Sequence, residues 1–230
     1  MLSEDYFEVI PKPWGFEYEV IRNKHVRLLH LKISAGMRTS MHCHLQKKTS
    51  MLVLSGSGSV SFLSSEVHVA QGSKFIFRPG LFHRIEAGEN GLECIEIENP
   101  PLPNDLFRLS DTYGREDMGY EDSEKRNRPF LQWDLRPLSE AGDRDLDFET
   151  DNAVCSVVTV STDADIRSVL ETADQLVVLS GGMVSPNGFS LLGPSDVVEP
   201  RSVKALQARL RFLRPTRLFC IEFRATTGLK

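Results

Sequence analysis

Gly36-Met37-Arg38-Thr39-Ser40-Met41-His42-Cys43-His44, followed by Thr49 and Gly56 and answered downstream by Arg78-Pro79-Gly80 and His83, is the stretch on which the reading of this chain turns. Two histidines at i and i+2 of a strand project from one side of a sheet, so the imidazoles of His42 and His44 converge while Cys43 faces the other way. His83, delivered from another strand, completes a set of three nitrogen donors for one divalent ion. Proline presets φ and removes a donor, so Pro79-Gly80 reads as a tight turn that aims His83. Gly56 and Gly72 are placed where strands reverse, because glycine reaches positive φ without steric cost, and Gly56 is expected to close the strand begun at Thr49. His25, His30 and His68 have no partner spacing and are read as surface or hydrogen-bonded residues.

The rest of the 230 residues fits a mostly β protein. The formal charge is −5 and no Lys/Arg cluster stands out, so the electrostatic footprint of nucleic-acid binding is missing. The start, Met1-Leu2-Ser3-Glu4-Asp5-Tyr6-Phe7, is acidic and has no apolar core behind positive charge, and no apolar run reaches membrane-spanning length. Cys43, Cys94, Cys155 and Cys220 are scattered without paired spacing and read as reduced, buried small hydrophobes. Together these point to a cytoplasmic protein with no membrane partner.

Short apolar runs broken by Gly, Pro, Asn and Ser predict strands at Phe16 to Arg22, Val26 to Ser34, Thr39 to His44, Met51 to Ser55, Ser59 to Phe62, Lys74 to Phe77, His83 to Ala87 and Leu92 to Glu98. The charged stretch 116–128 reads as a linker. Strands resume at Phe130 to Asp134, Ala153 to Val160, Leu176 to Ser180, Phe189 to Leu192 and Arg217 to Phe223, so a domain over 1–115 is followed by a second β domain over 129–230. The second half reads as a worn copy of the first. Leu176-Val177-Val178-Leu179-Ser180-Gly181 echoes Met51-Leu52-Val53-Leu54-Ser55-Gly56, and Val197-Val198-Glu199-Pro200 echoes the block ending at Pro79. Equal offsets put Arg167, Val169, Asp174 and Lys204 at the places of His42, His44, Thr49 and His83, and no histidine comes after His83. No metal is expected in the second half.

The two glycine-bounded histidine blocks resemble the two motifs of the cupin superfamily. That resemblance implies an all-β fold of two antiparallel, jelly-roll-like cupin barrels, a bicupin whose second barrel is degenerate and packs on the first. In the family a glutamate five residues after the second histidine supplies a fourth ligand, and here that position is Thr49, a doubtful ligand. Lys12-Pro13-Trp14-Gly15-Phe16-Glu17 and Asp105-Leu106-Phe107-Arg108-Leu109-Ser110-Asp111-Thr112-Tyr113-Gly114-Arg115 further resemble the segments that bracket the cupin of type II mannose-6-phosphate isomerases and of the isomerase domain fused to mannose-1-phosphate guanylyltransferases. The departures are a glutamine in that family at His42, an arginine near Lys47 and the glutamate at Thr49. Trp14 is expected to plug one end of the barrel, and the Tyr113-Gly114-Arg115 turn to cap it.

Three function classes stay open, in this order. The first is a metal-dependent isomerase or epimerase acting on a sugar phosphate or nucleotide sugar, with His42, His44 and His83 holding one divalent ion, zinc, manganese, iron or nickel. Such a reaction needs a base, for which Lys47, Glu17 and Glu96 are the candidates, each also readable as a solvated strand or loop residue. The second is a three-histidine iron-dependent oxygenase. The third is a non-catalytic sugar- or metal-binding bicupin. A homo-oligomer stays open in all three.

Overall fold

The structure, a computed structural model, describes residues 9–118, 120, 147–150, 152–207 and 209–224. The fold is all-β and antiparallel, with two short helices, and the chain divides into two compact units, Met1–Gln132 and Trp133–Lys230. Among the described residues no helix is long and apolar enough to cross a membrane. All four cysteines are free and buried. The strand expected at Phe130 to Asp134 and most of the stretch 116–128 lie outside the described residues.

The first unit runs β1 (Val9–Lys12), β2 (Gly15–Arg22), β3 (Arg27–Ile33), β4 (Met41–Cys43), β5 (Lys48–Ser61), β6 (Glu66–Ala70), β7 (Lys74–Phe77), β8 (Arg84–Asn99) and β9 (Phe107–Ser110). Six strands form the order β1-β2-β3-β8-β5-β6, β7 joins on β5, and β4 pairs β9 as a separate ribbon. Isolated bridges, His42 to His83 and Arg38 to Glu86, tie the ribbon side to the start of β8.

Gly56 does not close a strand, as expected from sequence, but bends one. β5 continues through it for 14 residues, with register shifts at Val53/Ser55 and Gly56/Gly58. Gly56 has φ +80°, and a Cβ there would lie 2.2 Å from the Gly91 carbonyl oxygen, so no other residue fits without moving backbone. Its partner β8 fuses the two strands expected at 83–87 and 92–98 into one of 16 residues. The long bent pair lets a single sheet roll around its own inner face.

That face follows from period two. Leu29, Leu31 and Ile33 on β3, Met51 and Val53 on β5 and Leu92 and Cys94 on β8 meet Trp14, Phe77 and Ile85 in one buried cluster. Each such aliphatic side chain contributes roughly 1.5–3 kcal/mol on leaving water. Continuing the alternation past Met51 and Cys94 brings Lys47 and Thr49, and Glu96 and Glu98, to the same inner side; Lys47, Thr49 and Glu98 are buried and Glu96 is mostly so. The inner face is therefore apolar at one end and ionic at the other.

The second unit contains β10 (Asp147–Glu149), β11 (Ala153–Val160), α1 (Asp163–Thr172), β12 (Gln175–Val184), β13 (Ser190–Leu192), β14 (Val197–Val198), α2 (Pro200–Gln207) and β15 (Arg211–Phe223). Its sheet has the order β10-β11-β15-β12-β13, with β14 on β12. Neither helix was expected. Arg167 and Val169 lie on α1, Lys204 on α2 and Asp174 just past α1, none of them on a strand. α1 starts with a reciprocal capping box between Thr162 and Asp165 and buries Ile166, Val169 and Leu170, a helical spacing present in the sequence. Pro200 opens α2, where a missing N–H costs nothing.

The echoed segments build the same hairpin twice. Val53 exchanges backbone hydrogen bonds with Gly72 and Ser73, at 2.9 Å each, and Val178 does so with Ser195 and Asp196, at 2.8 and 3.0 Å. Gly56 and Gly181 both have positive φ, +80° and +75°, as do Gly72 and Ser195, +81° and +74°. Met51 pairs Phe75 on β7, and Leu176 pairs Val198 on β14. Beyond these hairpins the units diverge. After β14 the second unit places α2 where the first has the turn to His83, and before β12 it places α1 where the first has His42 and His44.

Candidate metal centre

His42 sits on β4 and His44 just beyond its end, with Cys43 between them buried on the opposite side. His83 is brought beside them by a reciprocal backbone pair, His42 N–H to His83 O at 3.0 Å and His83 N–H to His42 O at 2.8 Å. Gly80, at φ +77°, donates its N–H to the His44 carbonyl at 2.7 Å, so the expected Pro79-Gly80 turn is pinned to the first histidine block. The ring of Phe77 stacks on that of His83 with centroids 3.9 Å apart and planes 2° from parallel. One ligand-capable atom from each of the three histidines falls within 4.8 Å of the others. Two nitrogens bound to one ion at about 2.1 Å stand roughly 3.4 Å apart, within the 4.8 Å span of these atoms.

The protonation of each ring is fixed by its acceptor. Nδ1 of His42 lies 2.9 Å from Ser40 O, Nδ1 of His44 lies 2.5 Å from Asp105 O, and Nδ1 of His83 lies 3.0 Å from Leu81 O. A carbonyl only accepts, so each Nδ1 carries the hydrogen and each Nε2 keeps its lone pair for the cavity. Nε2 of His44 is buried with no hydrogen-bond partner. Burial holds His42 well below the usual 6.5, aided by His83 and His44. It takes His44 to about 3, with Lys47 adding, and His83 to about 4. Three neutral imidazoles with inward lone pairs are the form that binds a divalent cation.

Beneath them lies a buried ionic floor. Lys47 Nζ meets Glu98 Oε1 at 2.5 Å, Arg27 reaches the other Glu98 oxygen at 3.4 Å and Glu19 at 2.6 Å, and Lys12 meets Glu17 at 3.1 Å. Each of these charges is offset by a partner, which buried ions need. Glu96 differs in facing the histidines: its Oε1 is 3.9 Å from His44 Nε2. Burial raises its pKa to about 7, and Glu98 pushes the same way.

The geometry therefore sorts the sequence candidates. His42, His44 and His83 come together, and Lys47, Glu17 and Glu96 all line the same cavity with Trp14, Arg108 and Tyr120. Lys47 and Glu17 are held in ion pairs, while Glu96 stands at the histidines. Thr49 is fully buried on the inner side but is not among the lining residues, and its Oγ1 has no hydrogen-bond partner. Sequence reasoning assigned no role to Lys12, Arg108, Asp105 or Glu98, although the first three lie in the two flanking segments it singled out.

No family model matches the chain, and no curated protein matches it. Among solved structures, the chain is similar to an uncharacterized conserved protein with a double-stranded β-helix domain from Klebsiella pneumoniae subsp. pneumoniae MGH 78578, at 17% identity and a TM-score of 0.39 over 45% of this chain and 86% of that one. It is also similar to the capsular polysaccharide assembling protein CapF from Staphylococcus aureus, at 21% identity and TM-score 0.42 over 46% of this chain and 33% of CapF, so the match spans a third of that protein's length. A candidate sugar phosphate isomerase from Acidithiobacillus ferrooxidans ATCC 23270 aligns at 22% identity and TM-score 0.38 over 46% of this chain and 75% of that one. The likenesses are partial, and the antiparallel all-β architecture stands on the strand registers themselves.

Proposed function

We propose that the first unit is a cupin-type metal enzyme that isomerises or epimerises a small sugar phosphate or nucleotide sugar. The observation that carries the reading is that one ligand-capable atom from each of His42, His44 and His83 lies within 4.8 Å of the others, each Nδ1 facing a backbone carbonyl, beside the carboxylate of Glu96. A divalent cation held by His42, His44 and His83 would supply Lewis acidity toward a hydroxyl or carbonyl oxygen of the substrate. Glu96, 3.9 Å from His44 Nε2, would take a proton from the carbon next to that carbonyl and return it to the carbonyl carbon, while the proton of the adjacent hydroxyl passes to the carbonyl oxygen. Lys47 and Glu98 hold each other, so the floor adds a fixed positive and negative charge without offering a second base. Lys12 and Arg108 bring cationic donors to the lining, the chemistry that a phosphate requires.

A second reading, an iron-dependent oxygenase, is favoured by one observation: the donor set is three neutral nitrogens, with Thr49 where a carboxylate ligand would stand. Metal identity separates the two.

The test is elemental analysis of protein purified without added metal, beside the His42→Ala/His44→Ala double variant. One equivalent in the wild type and none in the variant is expected; equal content in both removes the site. Metal-loaded protein should then interconvert an aldose phosphate and its ketose, stop on chelation, and lose turnover in Glu96→Gln with its metal retained. No turnover across a broad panel of sugar phosphates and nucleotide sugars by metal-loaded protein would leave a binding protein.

A further inference from the structure

Of the three histidines, two have their rings set locally. His42 and His83 donate to carbonyls two residues back in the same segment, Ser40 and Leu81. His44 instead takes its acceptor from Asp105, 61 residues away, between β8 and β9. Its alignment therefore depends on a tertiary contact, and that contact is stapled by the same residue. The Asp105 carboxylate accepts three consecutive backbone N–H groups directly after His44: Leu45 at 2.9 Å, Gln46 at 2.8 Å and Lys47 at 2.8 Å. Asp105 is 8% exposed, so water does not readily replace these bonds. Its own N–H is held by Leu102 O at 3.2 Å.

From this double attachment we infer that Asp105 is a positioning residue for the metal ligand His44. The carbonyl fixes which nitrogen of the ring bears hydrogen and how the ring is turned. The carboxylate fixes the backbone from which the ring hangs and the approach to Lys47, whose ammonium anchors Glu98. Charge-assisted bonds to N–H groups are the stronger kind, and three of them on adjacent amides leave that turn little freedom to tilt the ligand. Loss of an outer partner of a ligating histidine commonly weakens metal binding 10- to 100-fold.

The inference rests on the proposed metal site for one of its two readouts. In Asp105→Ala, Zn2+ affinity measured by competition with a chromophoric chelator should fall about 10- to 100-fold. Asp105→Asn, which keeps one acceptor oxygen, should recover part of the loss. Asp105→Ala keeps the main-chain carbonyl but releases the three amides that hold it against His44, so, independently of metal, imidazole 15N shifts of the metal-free protein at neutral pH should show His44 alone moving from a single Nδ1–H tautomer toward a tautomer mixture, with His42 and His83 unchanged. Affinity within twofold of wild type together with an unchanged His44 signal would overturn the role, and so would equal changes at all three rings, the mark of general loosening. If wild type takes up no Zn2+, the metal reading fails, while the tautomer measurement still decides what Asp105 does to His44.

Discussion

Thr49 and Glu98 are directly opposite one another across β5 and β8, on the inner side of the rolled sheet. Glu98 is clamped by Lys47 and Arg27, whereas the Thr49 hydroxyl is fully buried and bonded to nothing. A buried hydroxyl without a partner costs roughly 1–3 kcal/mol relative to an apolar group of the same shape. Thr49→Val should therefore hold or raise the stability of the metal-free protein by about 1 kcal/mol, read from the urea midpoint at constant slope.

Thr49→Glu should act in two opposed ways. A third carboxylate beside Glu96 and Glu98 destabilises the metal-free chain by repulsion and desolvation, on the order of 2 kcal/mol. The same charge should tighten retention of a divalent ion. A lower melting temperature without metal and a larger upward shift with it is the expected pair of results; a variant that melts like wild type in both states contradicts the placement of residue 49.

Lys47→Met tests the ionic floor. Removing one partner of a buried pair typically costs 3–5 kcal/mol, and Arg27 at 3.4 Å from Glu98 should moderate this to about 3 kcal/mol. Adding Glu98→Leu to Lys47→Met should restore part of the loss, because the stranded charge is then gone too. A double variant weaker than the single one would show that the pair does not act as a unit.

Acid should unfold the metal-free protein through its site histidines. His42, His44 and His83 are all held below 6.5, so in this range the unfolded chain binds protons that the folded chain refuses. Their contribution is complete above 6.5 and is lost as pH falls from there toward about 3. Glu96 runs the other way: raised from 4.5 to about 7, it is protonated first in the folded state and adds stability as pH falls through that window. Three groups against one leave stability falling between pH 6.5 and 4.5, with a slope of about 2.7 kcal/mol per pH unit in the middle of the range. Denaturant midpoints across this range check the sign, and His42→Ala should make the slope shallower by about one proton.

Ser195 occupies in the second hairpin the place that Gly72 has in the first, at φ +74° and with its hydroxyl buried and unbonded. A non-glycine residue in the left-handed region is disfavoured by about 1–2 kcal/mol, more than the roughly 0.5–1 kcal/mol of extra chain entropy that glycine loses. Ser195→Gly should stabilise the chain by about 1 kcal/mol, visible as a higher denaturant midpoint.

The convergence of His42, His44 and His83 was legible because two of them share one strand face and the third comes after a turn marked by Pro79-Gly80. Lys74–Phe77 and Ala153–Val160 were legible to the residue, being short apolar runs with clear ends. The continuation of β5 through Gly56 was not, since a glycine that bends a strand and one that ends it look alike until the partner carbonyl, here Gly91, is in place. α1 did carry its signature in Thr162, Asp165 and the Ile166/Val169/Leu170 spacing, but the echo of the first half matched Arg167 and Val169 to the places of His42 and His44, and the helical spacing went unread. Asp105 opens a segment the sequence marked, but its contacts leave no pattern there: they run through a main-chain oxygen and through carboxylate bonds to amides whose side chains are irrelevant. The choice of Glu96 over Lys47 and Glu17 likewise depended on which acid and base partners met in space.

The two helices of the second unit have a consequence for any binding experiment on the whole chain. Ile166, Val169, Leu170 and Val203 lie in one buried cluster with Leu176, Val178, Leu218 and Cys220, the strand side that corresponds to the cavity side of the first unit. The second sheet thus carries its own tethered occupant, present at an effective concentration that a freely diffusing small molecule does not match. If the first unit binds a small molecule as proposed, titrations of the whole chain should accordingly follow single-site isotherms. Grafting histidines at 167, 169 and 204 would open no second centre, and the one at 169 would break into the buried cluster itself.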